Sequence, residues 1–104
     1  MIMRIWHGVS EEALSDAYGQ YIEETGIPMY QAHKGNLGVY LLRRIKDGKA
    51  EFYLLSMWDS YEAIQAFAGP DIDKATFFDK DKDYLIEMEP NVSHFEVLMG
   101  PELE

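Results

Sequence analysis

The chain of 104 residues contains no cysteine and few basic residues. Without cysteine it has no disulfide framework, no thiolate nucleophile and no cysteine-ligated metal. No apolar run approaches the roughly 18 residues of a membrane span. The N-terminus lacks the basic region, apolar core and cleavage site of a signal peptide. We therefore expect one soluble, cytoplasmic domain covering residues 1–104, with no membrane partner.

Basic residues are outnumbered, with 9 Lys and Arg against 19 Asp and Glu and a net charge of −10. Phosphate binding requires a basic patch, so this balance argues against a nucleic-acid partner. It also disfavours long-range steering of a highly charged anionic substrate. A neutral or weakly charged small molecule fits the composition better. The hydrophobic content of 47% is sufficient for a packed core.

Metal-binding patterns are also lacking. The three histidines are far apart in the chain and show no metal-ligand spacing. Residues 79–83 begin like a calcium-binding loop, but Tyr84 stands where glycine is needed and Pro90 where the closing glutamate belongs. We predict no metal site.

The first half of the chain predicts a strand, a helix and a second strand. Residues 2–8 mix apolar and aromatic side chains and predict the first strand. Ser10 is typical of a helix N-cap, and Gly26 of a helix end. Residues 27–36 predict a loop, and residues 37–45 the second strand.

Asp47 and Gly48 are the favoured pair for a two-residue type I′ hairpin turn. Extending the register from this turn places Arg44 opposite Glu51. An opposite-charge pair across two strands contributes roughly 0.2–1 kcal/mol. The sequence therefore predicts both the hairpin and its register.

The strand after this turn, residues 52–58, is apolar on both faces. One face of a small antiparallel sheet is commonly left to solvent, so a second apolar face predicts a partner subunit. Asp59 or Ser60 then caps a second helix that ends near residues 69–70.

Residues 71–90 are acidic and irregular, with short helices expected near 72–78 and 81–88. A final strand is predicted over residues 92–99. The resulting order, β-α-β-β-α-β, is the ferredoxin-like α+β arrangement, with a four-stranded antiparallel sheet and helices on one face.

The chain resembles the antibiotic biosynthesis monooxygenase domain, a family of the dimeric α/β-barrel superfamily. The resemblance is carried by residues 54–64, Phe67 and residues 92–97. The most specific likeness is the junction of strand, Trp58, Asp59 and helix. The resemblance implies a homodimer whose sheets face each other, with a pocket between helices and sheet. The fold alone does not imply oxygenase chemistry.

The haem-degrading branch of this family uses an asparagine on the first strand and a tryptophan and a histidine ten residues apart near the second helix. The corresponding positions here are Phe67 and Phe77, and the first strand has no asparagine. The haem-binding residues are therefore not carried over, and we predict no cofactor.

The cofactor-independent branch remains, in which a phenolic or enolic substrate supplies the electrons for its own oxidation by O₂. That chemistry needs an apolar pocket, a base and donors that stabilise an oxyanion. The predicted strands also carry Arg4. The catalytic candidates are His94, His7 and Arg43, and the candidate pocket residues are Trp6, Tyr40 and Trp58.

Each candidate also has a structural interpretation. A strand histidine often makes only packing contacts, and Trp58 is a natural core or interface anchor. The alternative function is a non-catalytic dimer that binds a small metabolite or acts in a stress response. Isomerase or decarboxylase chemistry on the same fold is a third hypothesis.

Overall fold

Two long antiparallel strands, β1 (Ile2–Glu11) and β3 (Lys49–Trp58), form the centre of the sheet in the computed structural model, which describes residues 1–101. Strand β2 (Asn36–Lys46) pairs with β3 on the outside. Strands β4 (Leu85–Met88) and β5 (Ser93–Glu96) both pair with the free edge of β1, one at each end. The order β2-β3-β1-β4 confirms the predicted ferredoxin-like fold. The described sheet has five strands where four were predicted, because β4 and β5 share the edge of β1.

The helices are α1 (Ser15–Glu24), preceded by a 3₁₀ turn (Glu12–Leu14), α2 (Gly26–Ala32), α3 (Tyr61–Ala68) and the short α4 (Asp81–Tyr84). None of the described helices is long and apolar enough to cross a membrane. Their buried residues Tyr18, Ile22, Tyr30 and Ile64 share one core with Trp6, Phe52, Leu54 and Trp58 of the sheet.

The predicted hairpin and its register are confirmed. Arg44 lies opposite Glu51, and its Nε donates to Glu51 Oε2 over 3.1 Å. Asp47 and Gly48 both have positive φ, of 54° and 76°, as a type I′ turn requires. Ser60 is confirmed as the cap of α3, because its Oγ accepts from the backbone N–H of Ala63 over 3.2 Å.

Two helix boundaries were predicted wrongly. Ser10 is a strand residue with no exposed surface, because β1 continues to pair with β3 as far as Glu11. Gly26 does not end the helical region, and residues 27–36 are not a loop, since α2 begins at Gly26. Pro28 lies in the first turn of α2, where a missing N–H removes no helix hydrogen bond.

The second half of the chain also differs in detail. Residues 81–88 form one short helix followed by β4, where a helix was predicted throughout, and β5 is shorter than the predicted strand over 92–99. Residues 72–78 form turns and an isolated bridge between Lys74 and Asn91. This segment therefore crosses the sheet edge without a helix of its own.

The strand register divides the sheet residues between two faces. On the helix-covered face lie Arg4, Trp6, Phe52, Leu54, Ser56, Trp58 and His94. On the open face lie Met3, Ile5, His7, Tyr40, Leu42, Tyr53, Leu55, Met57 and Phe95. The open face is therefore mainly apolar, and Tyr40 and Phe95 on it are 54% and 55% exposed.

Candidate functional site

An arginine and a histidine meet on the helix-covered face of the sheet. Arg4 on β1 and His94 on β5 are cross-strand partners, and both side chains are buried. Arg4 Nη1 lies 3.1 Å from His94 Nε2. Arginine has no acceptor, so Arg4 donates and His94 Nε2 accepts with its lone pair. The geometry therefore assigns His94 as the neutral tautomer with its proton on Nδ1.

Asp73 completes this arrangement from the segment that crosses the sheet edge. Its Oδ1 lies 3.6 Å from His94 Nδ1. Burial and the neighbouring Arg4 charge lower the pKa of His94, and Asp73 offsets this only in part. A neutral histidine at physiological pH has the protonation state of a general base.

Arg4 also holds the segment in place. Its Nη1 donates to the carbonyl of Ile72, and its Nη2 donates to the carbonyl of Lys74 over 2.9 Å. Its guanidinium carbon lies 6.0 Å from the ring centroid of Phe67 on α3. Burial lowers the pKa of Arg4, but arginine remains charged at any physiological pH. A fixed positive charge is thus enclosed by backbone carbonyls and aromatic rings.

Aromatic side chains surround the arginine. The ring of Phe67 lies 4.5 Å from that of Tyr30 and 5.3 Å from that of Trp58, centroid to centroid. The Trp58 indole N–H donates to Ser56 Oγ over 2.9 Å. Burial raises the pKa of Tyr30 to about 12, although the Arg4 charge opposes this. Tyr30 therefore keeps its proton near neutral pH.

A small cavity lies next to this cluster, between α1, α2 and the sheet. Its volume is about 10 Å³, which is roughly the space for one water molecule. Its walls are Trp6, Tyr18, Ile22, Tyr30, Leu54, Thr76, Phe78 and Asp81. At this place, the space between the helices and the sheet is thus nearly filled by side chains, half of which are aromatic.

The residues predicted from sequence do not all meet at this place. His94, Trp6 and Trp58 lie on the helix-covered face. His7 and Tyr40 lie on the open face, where the His7 ring packs 4.7 Å from that of Tyr53. Their roles in binding or catalysis stay predictions.

Arg43 lies elsewhere on the helix side. Its Nη1 donates to Asp16 Oδ1 over 2.6 Å and to Ser15 Oγ over 3.2 Å, at an open groove along α1. The cation beside His94 is instead Arg4.

Sequence reasoning placed Arg4 on a strand without assigning it to the site, and it missed Tyr30 and Asp73. An arginine between Ile2 and Trp6 on the buried face of β1 is the one available signal, because an unpaired charge is expensive to bury. Tyr30 and Asp73 approach the strand from distant parts of the chain. No local pattern marks them.

No protein-family sequence model matches the chain, and no curated protein matches it in sequence. Solved structures do match. One is from Bacillus cereus and is assigned as an antibiotic biosynthesis monooxygenase, with a TM-score of 0.64 and 18% identity over 97% of this chain and 96% of that one.

A second is the haem degrader MhuD from Mycobacterium tuberculosis, with two haems bound in its active site, at a TM-score of 0.66 and 21% identity over 98% of this chain and 100% of that one. An MhuD variant with two manganese protoporphyrin IX molecules per active site matches at a TM-score of 0.62 and 18% identity over 98% and 99% of the two chains. The fold is shared. The predicted resemblance to this family is confirmed at that level.

The residues of this chain do not fit haem ligation at the positions that the resemblance indicates. Phe67 carries no ligating atom and packs against the rings of both Tyr30 and Trp58. Phe77 lies edge-on to Trp6 with 6.3 Å between ring centroids. Both ring nitrogens of the buried His94 already face Arg4 and Asp73.

Across residues 1–101, no group of three histidine, aspartate or glutamate side chains is placed to hold a metal ion.

Proposed function

We propose that the protein oxidises a small, uncharged phenolic or enolic molecule with O₂ on the helix-covered face of its sheet, without a cofactor. The observation that carries this proposal is the 3.1 Å contact between the Arg4 guanidinium and a neutral His94 in a buried, aromatic-lined layer. A base beside a fixed positive charge is the arrangement that forms and stabilises an oxyanion. The shared fold with an assigned monooxygenase supports it.

In this mechanism, Arg4 first turns from His94 Nε2 to the substrate oxygen, which frees the Nε2 lone pair. The substrate then transfers a proton to Nε2, and Arg4 holds the resulting enolate or phenolate oxygen. The electron-rich anion adds O₂ at carbon to give a peroxide anion. His94 returns its proton to this peroxide. Loss of water then leaves a carbonyl, so that one CH₂ group and one O₂ become one C=O and one H₂O. Dioxygen is the oxidant, and the substrate carbon is oxidised.

Substrate access requires movement of the segment over residues 71–75, because the adjoining cavity of about 10 Å³ is too small for an aromatic ring. Besides the Arg4 contacts, this segment is held by two backbone bonds, Val92 N–H to Asp73 O and Ala75 N–H to Pro90 O, of 2.7 and 2.9 Å. A substrate oxyanion offers Arg4 a stronger acceptor than the carbonyls of Ile72 and Lys74. Binding and opening are therefore coupled.

The test is oxygen uptake with a panel of polyphenols and anthrone-like compounds. His94→Gln and Arg4→Lys should each lower the uptake rate by about 10²-fold or more. The control is Arg44→Lys, which makes the same substitution at the exposed hairpin. Uptake that is unchanged in His94→Gln would remove His94 from the mechanism, and absence of uptake with every compound would count against the oxygenase proposal.

A non-catalytic binding function is the second candidate. It is favoured by the engagement of both His94 ring nitrogens, which leaves no free lone pair until Arg4 moves. This alternative predicts that a panel compound binds, as measured by calorimetry, while no oxygen is consumed. Oxygen uptake that depends on His94 would exclude it.

We also propose that the working unit is a homodimer in which a second copy covers the open face. The supporting observation is the apolar surface along β2, β3 and β5, where Tyr40, Leu42 and Phe95 are 46–55% exposed. Apolar patches of this kind are typical of subunit interfaces.

A further inference from the structure

A buried carboxylate without a cationic partner lines the cavity beside the Arg4 cluster. Asp81 is 2% exposed. Its Oδ2 accepts from the backbone N–H of Phe78 over 2.7 Å. Within residues 1–101, Asp81 takes part in no ion pair. A buried carboxylate normally has a cation or a full set of hydrogen bonds, so this one has unused acceptor capacity.

The Tyr18 hydroxyl also lies next to this carboxylate. It is 1% exposed, and its hydroxyl lies 3.4 Å from Asp81 Oδ1, which is long for a hydrogen bond between oxygens. Burial and the Asp81 charge raise the pKa of Tyr18, so its hydroxyl keeps the proton. Asp81 Oδ1 is therefore only weakly satisfied.

The remaining cavity walls define what this oxygen faces. Trp6, Tyr30 and Phe78 are aromatic, Ile22 and Leu54 are aliphatic, and Thr76 contributes a hydroxyl. The Trp6 indole N–H is already used by the carbonyl of Glu89, at 3.2 Å. The cavity of about 10 Å³ admits an aromatic ring only after the segment over residues 71–75 has moved. In that opened site, mainly apolar walls with one strong acceptor are complementary to an aromatic compound that carries a hydrogen-bond donor.

We propose that Asp81 accepts a hydrogen bond from a substrate hydroxyl, distinct from the group that His94 deprotonates, and thereby selects hydroxylated, uncharged aromatic compounds. This rests on the proposed function, because the cavity is taken as part of the same substrate site. Burial raises the pKa of Asp81, while the Phe78 N–H and Tyr18 hydroxyl oppose that rise. A further donor from the substrate stabilises the carboxylate in the same way.

The same geometry excludes other ligands. A substrate carboxylate would lie against Asp81 and be repelled, with few solvent molecules to screen the two charges. A compound with an ether in place of the hydroxyl would leave the carboxylate without its donor. Sites built to bond a hydroxyl discriminate strongly against analogues that lack it.

The experiment titrates the protein with phenol, anisole and benzoate under nitrogen. The chain has two tryptophans, and the indole N–H signal of Trp6 reports the cavity in a proton–nitrogen NMR spectrum. Phenol should bind at least about tenfold more tightly than anisole, because one hydrogen bond to a charged group changes affinity by about that factor. Benzoate should bind more weakly than either compound.

Asp81→Asn keeps an acceptor for the Phe78 N–H but removes the charge, so the preference for phenol over anisole should fall several-fold and the discrimination against benzoate should weaken. Asp83→Asn is the matched control, because Asp83 is exposed on the same helix. Tyr18→Phe leaves Asp81 without its tyrosine donor and should increase the preference for phenol.

Equal affinities for phenol and anisole, or a preference unchanged in Asp81→Asn, would overturn the inference, as would a Trp6 signal that none of the three compounds shifts. The inference and the proposed function fail separately. A preference that depends on Asp81 without any oxygen uptake would leave a selective binding site, whereas His94-dependent uptake without the preference would leave the oxygenase alone.

Discussion

At the scale of single residues, Arg4 decides the state of its neighbour. A guanidinium can only donate, so its contact with Nε2 places the His94 proton on Nδ1, towards Asp73. The same arginine binds the carbonyls of Ile72 and Lys74. One side chain thus sets both the protonation of the candidate base and the position of the segment over residues 71–75, the covering segment.

His94 should make stability depend on pH. Its pKa is lowered in the folded protein by burial and by the Arg4 charge, and the Asp73 carboxylate opposes this lowering. The ring of Tyr61, 6.3 Å from that of His94, also faces it. Below the ordinary histidine pKa of about 6.5, the unfolded chain therefore binds the proton first. The stabilising contribution is complete above that pH and is lost as the pH falls.

The measurement is urea unfolding at about pH 7.5 and pH 5.5. The wild type should lose more stability between these values than His94→Gln does. The difference between the two proteins removes the contribution of the carboxylates, because these titrate in both. An identical loss in the two proteins would contradict a lowered pKa for His94.

Removing the Arg4 guanidinium should release the covering segment. Arg4→Met fills similar space but leaves the carbonyls of Ile72 and Lys74 without their donor, at a cost of about 2–4 kcal/mol in the free energy of unfolding. Amide exchange should accelerate at Ala75 and Val92, whose N–H groups bond across the segment. Slow exchange at these two amides in a folded Arg4→Met variant would contradict the prediction, because the backbone bonds alone would then hold the segment in place.

Only part of this cluster was predictable from the sequence. His94 could be proposed as a site residue because it lies on a predicted strand. The alternation of residues along β1 places Arg4 on the buried face. Tyr30, Asp73 and Asp81 are brought in by α2, the covering segment and α4. These contacts join distant parts of the chain, and no local pattern records them.

At the scale of elements, local signals succeeded where they act within a few residues. The Asp47-Gly48 turn sets the register of β2 and β3, because positive φ at both positions leaves a two-residue connection. The helix-cap and helix-end signals at Ser10 and Gly26 gave wrong predictions. Ser10 is held in the sheet by pairing with β3, and the breakers Gly26 and Pro28 lie at the start of a helix, where both are tolerated.

The cap of α3 provides a test at this scale. Ser60→Ala removes the acceptor for the Ala63 N–H and should lower the free energy of unfolding by about 1 kcal/mol. Ser60→Asp keeps an acceptor and adds a negative charge at the positive helix end, so it should retain most of the stability. Urea unfolding measures both. Equal losses in the two variants would mean that the hydrogen bond does not stabilise α3.

At the scale of the whole molecule, the sheet separates two sets of residues. The helix-covered face holds Arg4 and His94, and the open face holds His7 and Tyr40. The alternation of strand residues predicted two apolar faces but not which histidine belongs to which. Assigning them requires the register between β1 and β5, which a short strand does not reveal in sequence.

The homodimer proposal is tested on the open face. Leu55 lies there between Ile5 and Tyr40, and it is more accessible than Met57, which is 6% exposed within a single chain. A lysine at this position would place a charge inside the interface, where it costs several kcal/mol without a partner. Leu55→Lys should therefore dissociate the dimer.

Sedimentation should give about twice the chain mass of 12.0 kDa for the wild type and the chain mass for Leu55→Lys. Met29→Lys is the control, since Met29 is 47% exposed on α2, away from the open face. That control should sediment as the wild type does. A wild-type monomer at micromolar concentration would contradict the proposal, because the apolar open face would then be stable in water without a partner.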